Sequence, residues 1–319
     1  MKLYPLTFKP IIKERIWGGS KLNTFLNKEV SIKNAGESWE LSSVPNDVSI
    51  VANGALSGKN LNEVIALNPE ALLGKDVVEK FGTEFPLLFK FLDANKDLSV
   101  QLHPNDELAK VRHNSFGKTE MWYVVQADKD ARIIVGFKEN SSKEEYLAHL
   151  ENKSIVSLLN EIPVKEGDVF LLETGTIHAI GSGVVIAEIQ QTSDITYRIY
   201  DWDRVDVDGN SRELHTELAL DAINYNIVNA EIDYTLKSNE RNTCVKNTYF
   251  TTNVISLVSN FKWKKCKESF TVLMCTEGFF SIHFYNEVFH YKKGDTVLIP
   301  AQIEFFNIQG SATVLEISI

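Results

Sequence analysis

The sequence predicts a mainly β protein with helical insertions, organised around two related β-barrels. Three observations predict it. Short runs rich in β-branched and aromatic residues dominate the chain. Stretches with helical apolar spacing interrupt them. One β unit also recurs: VKEGDVFLLETGTIH over Val164–His178 and YKKGDTVLIPAQIEF over Tyr291–Phe305 share a charged approach, a Gly-Asp turn signal and an apolar strand.

Taken in chain order, Asn60–Leu73 has helical spacing. In Asp97–Pro104, Leu98, Val100 and Leu102 alternate with Ser99, Gln101 and His103, so a strand presents one aliphatic and one polar face. Pro104 and Asn105 end that strand and open a helix over Asp106–His113. Strands follow at Ile133–Phe137, Val169–Leu172, Val184–Ile189 and Ile195–Tyr200. Between them Ser142–Leu150 reads as a helix, with Ser142 and Glu145 spaced as a capping box. Glu213–Asn226 is the most persuasive helix, with Leu214, Leu218, Ile223 and Tyr225 as its apolar side. Thr271–Met274 and Thr296–Ile299 are further strands. The polar segment Asp233–Asn247 is the candidate linker, dividing the chain into 1–232 and 233–319. The second β unit has no histidine where the first has His178, and Glu304 has no evident partners, so this unit is expected to be structural.

The chain has 319 residues, of which 44% are hydrophobic and 24% charged, enough for a large core. Its 33 basic and 43 acidic residues leave a charge of −10, which disfavours nucleic acid and anionic membrane as partners but permits a locally basic pocket for a small anion. The N-terminal run mixes Lys, Arg, Glu and Pro with its apolar residues, unlike a signal peptide. No stretch has the apolar length of a membrane span. Cys244, Cys266 and Cys275 are too few and too unevenly spaced for a disulfide framework. A cytoplasmic location is the expectation.

Chemistry collects in four groups. Gln101 and His103 share the polar face of their strand, which is costly to bury unless something occupies it. Lys118 and Glu120 share a face if GKTEMW is a strand, and the apolar run Met121–Val125 draws Glu120 inward. As a surface ion pair they would contribute little. His178 emerges just after the turn at Gly175. These groups supply two imidazoles, a carboxylate and an amide, a mixed set suited to zinc and also to manganese, iron, cobalt or nickel. In the fourth, EIQQTSDITYRIYDWDR, Asp194, Thr196, Arg198 and Tyr200 fall on one strand face, as an ion pair or as a ligand contact.

QLHP, GKTEMW, GDVFLLETGTIHAIG and TSDITYRIYDWDR resemble, in order, the motifs of type I mannose-6-phosphate isomerases, and KERIWGG and SWELS resemble the opening of the short bacterial members. The similarity runs from about Pro10 to Arg204. It implies a cupin (jelly-roll) fold of two barrels, the first carrying one zinc ion bound by Gln101, His103, Glu120 and His178. Gln101 is either a direct ligand or a group that orients water at the metal. The resemblance also implies that Lys118, Glu188, Asp194 and Arg198 line the substrate pocket and that Ser99 contacts phosphate. The implied reaction interconverts mannose 6-phosphate and fructose 6-phosphate by moving a proton between C2 and C1 through an enediol, with the metal as Lewis acid and no redox cofactor. Arg198 would stabilise developing charge. Lys118, Glu188 and Asp194 are unranked candidates for the proton transfers, and His103 is a further one if its ligation is labile. Ser99, Lys118 and Arg198 are those for phosphate. The partner is thus a small sugar phosphate, and monomer and homodimer both remain open. The turn ETGTIH departs from the Pro-Ala-Gly common in the family while keeping Gly175 and His178, and the short chain reduces the helical insertion. Another cupin enzyme, such as an oxygenase or a glucose-6-phosphate isomerase, and a non-catalytic sugar-binding protein are the competing readings.

Overall fold

Three antiparallel sheets organise the computed structural model, which describes residues 2–205, 209–265 and 268–319. Cys266 lies outside the described residues. The first sheet runs in the order Ile11–Gly19, Ala35–Leu41, Leu87–Ala94, Val184–Gln191, Glu120–Ala127 and Val169–Leu172. The second runs Tyr197–Tyr200, Val100–Leu102, His178–Ile180, Arg132–Phe137 and Leu159–Pro163. The third contains Asn242–Lys246, Thr251–Leu257, Phe305–Ser318, Thr271–Phe284 and Glu287–Lys292, with Asn260–Lys264 and Thr296–Ile299 paired onto its long strands.

The three central strands of the first sheet are buried on both faces, which is why they read as nearly continuous apolar runs. Alternation still sorts their side chains. Phe89, Phe91, Met121, Tyr123, Ala187 and Ile189 face one way, into a core shared with Val254, Val272, Met274, Leu315 and Ile317 of the third sheet. Leu92, Trp122, Val124 and Ile186 face the other way, onto Ile133, Val135 and Ile180 of the second sheet. Lys90, Glu120 and Glu188 stand at even positions on that second face, so the strand period delivers three charged side chains between the first two sheets.

The internal repeat is structural. Gly167 and Gly294 both take positive φ, at 89° and 93°. Asp168 accepts the Lys165 amide through Oδ2 at 2.8 Å, and Asp295 accepts the Lys292 amide in the same way at 2.8 Å. Each turn feeds the expected strand, Val169–Leu172 or Thr296–Ile299.

Several elements differ from expectation. Asn60–Leu73 is two helices, Leu61–Leu67 and Pro69–Leu73, because Asn68 leaves helical geometry before Pro69. Asp106–His113 is helical as expected. Ser142 caps Lys143–Glu151 by accepting the Glu145 amide, but the Glu145 carboxylate accepts from Ser141 Oγ, so only half of the expected box forms. The reciprocal box stands at Asn60 and Glu63. Of Glu213–Asn226 only Thr216–Leu220 is helical. Beyond it Asn224 donates its amide to Gly175 and its side chain accepts the Asn226 amide, local bonds that compete with helix. The Ile195–Tyr200 strand begins at Tyr197, and the expected linker Asp233–Asn247 contains the strand Asn242–Lys246. The ladders form open paths, and none closes into a barrel among the described residues.

Candidate active site

Across the second sheet, Arg198 lies in register with Gln101, and Gln101 with His178. From the facing sheet come Glu120 and Glu188, whose strands pair with Gln190 opposite Glu120 and Trp122 opposite Glu188. His103 follows the strand Val100–Leu102 and is 2% exposed. Glu120, His178 and Lys118 are likewise buried.

The ring tautomers are fixed by backbone partners. His103 Nδ1 donates to the Ile195 carbonyl at 2.8 Å and His178 Nδ1 to the Thr176 carbonyl at 2.9 Å. Both Nε2 atoms therefore carry the lone pair. His103 Nε2 lies 3.5 Å from Glu120 Oε2, and His178 Nε2 lies 3.4 Å from Glu120 Oε1. Ligands about 2.1 Å from a tetrahedral zinc are separated by about 3.4 Å, which is the spacing of each ring to one Glu120 oxygen, and one donor atom from each of the three residues lies within 4.8 Å of the others. Glu120 Oε1 is buried without a hydrogen-bond partner among the described residues, which an ion would relieve. Burial, then the Lys118 charge, holds the His103 imidazole well below its ordinary value and lowers that of His178 to about 4. Both rings are neutral, as metal ligation needs. Gln101 is at the edge of this group, its amide nitrogen 3.4 Å from His178 Nε2 and its oxygen 3.5 Å from Ser99 Oγ. The amide can be turned to present its oxygen instead. His103, Glu120 and His178 thus form a candidate metal site.

Lys118 Nζ reaches into the same group, 2.6 Å from Glu120 Oε2 and 3.0 Å from His103 Nε2. Burial raises the Glu120 carboxyl above its ordinary value, against the pull of Lys118. Glu188 behaves oppositely. Burial pushes it up, but Lys90 and Lys118 outweigh this and hold it low, and it accepts from Lys90 at 3.0 Å and Trp122 Nε1 at 3.1 Å.

The cavity above these residues has a volume of about 520 Å³. Ser99, Gln101, Lys118, His178, Glu188, Asp194 and Arg198 all line it, so residues scattered over a hundred positions meet in one place. Among the described residues its six cations, Lys13, Arg15, Lys90, Lys118, Arg198 and Arg212, face four carboxylates, Glu37, Asp47, Glu188 and Asp194. The pocket is locally basic in an acidic chain, as binding of an anion requires. Arg198 donates to the Glu213 carbonyl and is 3.4 Å from Ser99 Oγ. Asp194 is exposed at the mouth.

Sequence reasoning missed Lys90, Glu37, Trp39 and Arg212. A signal existed for Lys90: one lysine inside the apolar run PLLFKFLDA must face a partner or a ligand. Burial favours its neutral form, yet Glu188 and Glu37 hold it charged. Glu37, which accepts from Arg15 and Trp39, joins by tertiary contact alone.

Residues 6–138 match the family described as phosphomannose isomerase type I, catalytic domain, and residues 240–319 the mannose-6-phosphate isomerase cupin domain. The chain is 37% identical to the mannose-6-phosphate isomerase ManA of Bacillus subtilis, covering 98% of both chains. It is 36% identical to the mannose-6-phosphate isomerase of Streptococcus mutans, covering 98% of this chain and 97% of that one. A crystal structure of the mannose 6-phosphate isomerase from Bacillus subtilis superposes with a TM-score of 0.91 at 33% identity, over 99% of this chain and all of the other. A phosphomannose isomerase from Salmonella typhimurium shares the fold, with a TM-score of 0.80 at 17% identity and 99% of each chain covered. With a relative of this identity aligned along almost the entire chain, the protein belongs to the type I mannose-6-phosphate isomerase family.

Proposed function

We propose that this chain interconverts mannose 6-phosphate and fructose 6-phosphate by proton transfer between C2 and C1 through an enediol. The observation that carries the proposal is the buried His103–Glu120–His178 cluster, which meets a basic pocket through His178 and the adjoining Lys118, in a chain of this family.

His103, Glu120 and His178 would hold one divalent ion, zinc by the nitrogen and oxygen donor set, with Gln101 as a fourth donor or as a group orienting water there. When bound, that ion supplies Lewis acidity toward the sugar's C1 and C2 oxygens. The protein's own groups do the rest. Arg198, in register with Gln101, sets a guanidinium beside the oxygens on which charge develops. Lys118 is the best placed of the proton-transfer candidates, because it lines the pocket while its ammonium bonds to Glu120 and His103 behind it. Glu188 is tied to Lys90 and Trp122 and held ionised, which suits it to fixing the positive side chains around the sugar. Asp194, open to solvent at the mouth, is the less sheltered proton carrier. Ser99, which lines the same pocket, is left as the phosphate contact. Lys118 serves the reacting carbons and not the phosphate, since its charge is committed to the ligand cluster.

The first two sheets, packed face to face, form the metal-bearing cupin unit within 1–232, and the third forms a second, degenerate unit within 233–319. Their matching Gly-Asp turns support the reading of two related units. Among the described residues no helix is long and apolar enough to cross a membrane. Incubating the protein with mannose 6-phosphate and following fructose 6-phosphate tests the function. Product is expected, and none from metal-replete protein refutes it.

A further inference from the structure

Among the described residues Tyr197–Tyr200 is the edge strand of the second sheet, paired only with Val100–Leu102. An edge strand leaves the N–H and C=O of alternate residues without a ladder partner. Arg198 is such a residue, and both of its backbone groups go to one neighbour. Its N–H lies 3.1 Å from His215 Nδ1, and its C=O accepts the His215 backbone N–H at 2.7 Å. Two residues earlier, the Glu213 carbonyl accepts Arg198 Nη1 at 2.8 Å. The segment is anchored in turn. The His215 carbonyl accepts the Ala219 amide to begin the helix Thr216–Leu220, and Arg212 is bound to Asp201. The imidazole also lies against the Tyr197 ring, with centroids 6.3 Å apart.

We infer that His215 is a positioning residue for Arg198: its neutral imidazole, accepting through Nδ1, takes the place of a missing neighbouring strand and fixes the backbone from which the Arg198 guanidinium enters the pocket. A backbone N–H can only donate, so Nδ1 must carry a lone pair and Nε2 the hydrogen. An ordinary strand partner would supply a carbonyl, but here the chain instead turns into a helix, and a side chain takes over that function. His215 lies outside the pocket lining, so it acts on substrate only through Arg198. The consequence for turnover rests on the proposed role of Arg198. The hydrogen-bond assignment does not.

Nitrogen-15 NMR of the His215 ring in the full-length wild-type protein tests the assignment without reference to activity. Hydrogen on Nε2, with Nδ1 as acceptor, is expected, and hydrogen on Nδ1 overturns the inference. Kinetics test the consequence. Small misplacements of a group that contacts the reacting atoms cost up to about a hundredfold. His215→Ala is expected to lower kcat by about tenfold to a hundredfold with unchanged metal content. His215→Asn places Oδ1 where Nδ1 was and is expected to recover to within about threefold of wild type, since the same bond is remade. An alanine variant as fast as wild type, or an asparagine variant as slow as the alanine one, overturns the positioning role. If alanine prevents folding, the asparagine variant and the wild-type spectrum decide. A wild-type protein that converts no mannose 6-phosphate refutes the proposed function instead, and leaves the spectrum to decide on His215.

Discussion

Lys118 and Glu120, two residues apart on one face, make a buried ion pair of 2.6 Å inside the cluster that would hold a metal. A cation is already drawn to the spot where Glu120 and two neutral imidazoles converge. The same pair ties the ligand site to folding, because either partner left alone is a buried, uncompensated charge.

Glu120→Gln is therefore expected to do two things. Metal affinity falls by on the order of a hundredfold or more, as loss of a ligand exceeds the loss of a supporting hydrogen bond. The metal-free protein loses about 3–5 kcal/mol because Lys118 is left buried and unpaired. Bound metal per chain and denaturant unfolding check these separately. Adding Lys118→Met should recover part of the stability and none of the metal binding.

Arg198→Ala is expected to reduce turnover by on the order of a hundredfold or more, the usual cost of removing one transition-state electrostatic contact. Metal content should stay at the wild-type value, because the Arg198 side chain bonds to Ser99 and the Glu213 carbonyl and not to His103, Glu120 or His178. Steady-state kinetics with metal analysis of the same sample gives both readings. Normal turnover removes Arg198 from the mechanism.

Much of this site was legible because its residues obey strand alternation. Ser99, Gln101 and His103 share one face and Lys118 and Glu120 another, so their types and spacing announced a polar row that an interior does not tolerate empty. Glu37, Trp39 and Arg212 were not legible, since only tertiary packing brings them to the pocket. The same division holds for the fold. Asp106–His113 and Val169–Leu172 follow from local pattern. Glu213–Asn226 has the pattern but not the outcome, because His215 is spent on Arg198 and Asn224 on Gly175.

Asp201 gives the acid limb of stability a specific source. Burial raises its carboxyl, but Arg212 and Arg204, each donating to it, outweigh burial and hold it below its ordinary value of 3.8. A depressed carboxyl stabilises the fold fully above the unfolded value, near pH 4, and that contribution is lost as pH falls through the lower folded value. Urea unfolding between about pH 6 and about pH 2 should show Asp201→Asn with a shallower acid decline than wild type. An identical decline removes Asp201 as a source.

The shared core predicts that 1–232 does not fold alone. Phe89, Phe91 and Ile189 bury against Val272, Met274 and Ile317, and Leu6 exchanges backbone bonds with Leu298. Truncation at 232 exposes that face, and each large apolar side chain returned to water costs about 1.5–3 kcal/mol. Circular dichroism and thermal unfolding should show a single cooperative transition for the full chain and none for the truncated one.

Turnover of mannose 6-phosphate as a function of bound metal tests the central claim most directly. Product formation should vanish when a chelator strips the protein and return in proportion to zinc re-bound, saturating near one ion per chain. Undiminished fructose 6-phosphate formation by demonstrably metal-free protein would contradict a metal-dependent isomerase built on His103, Glu120 and His178.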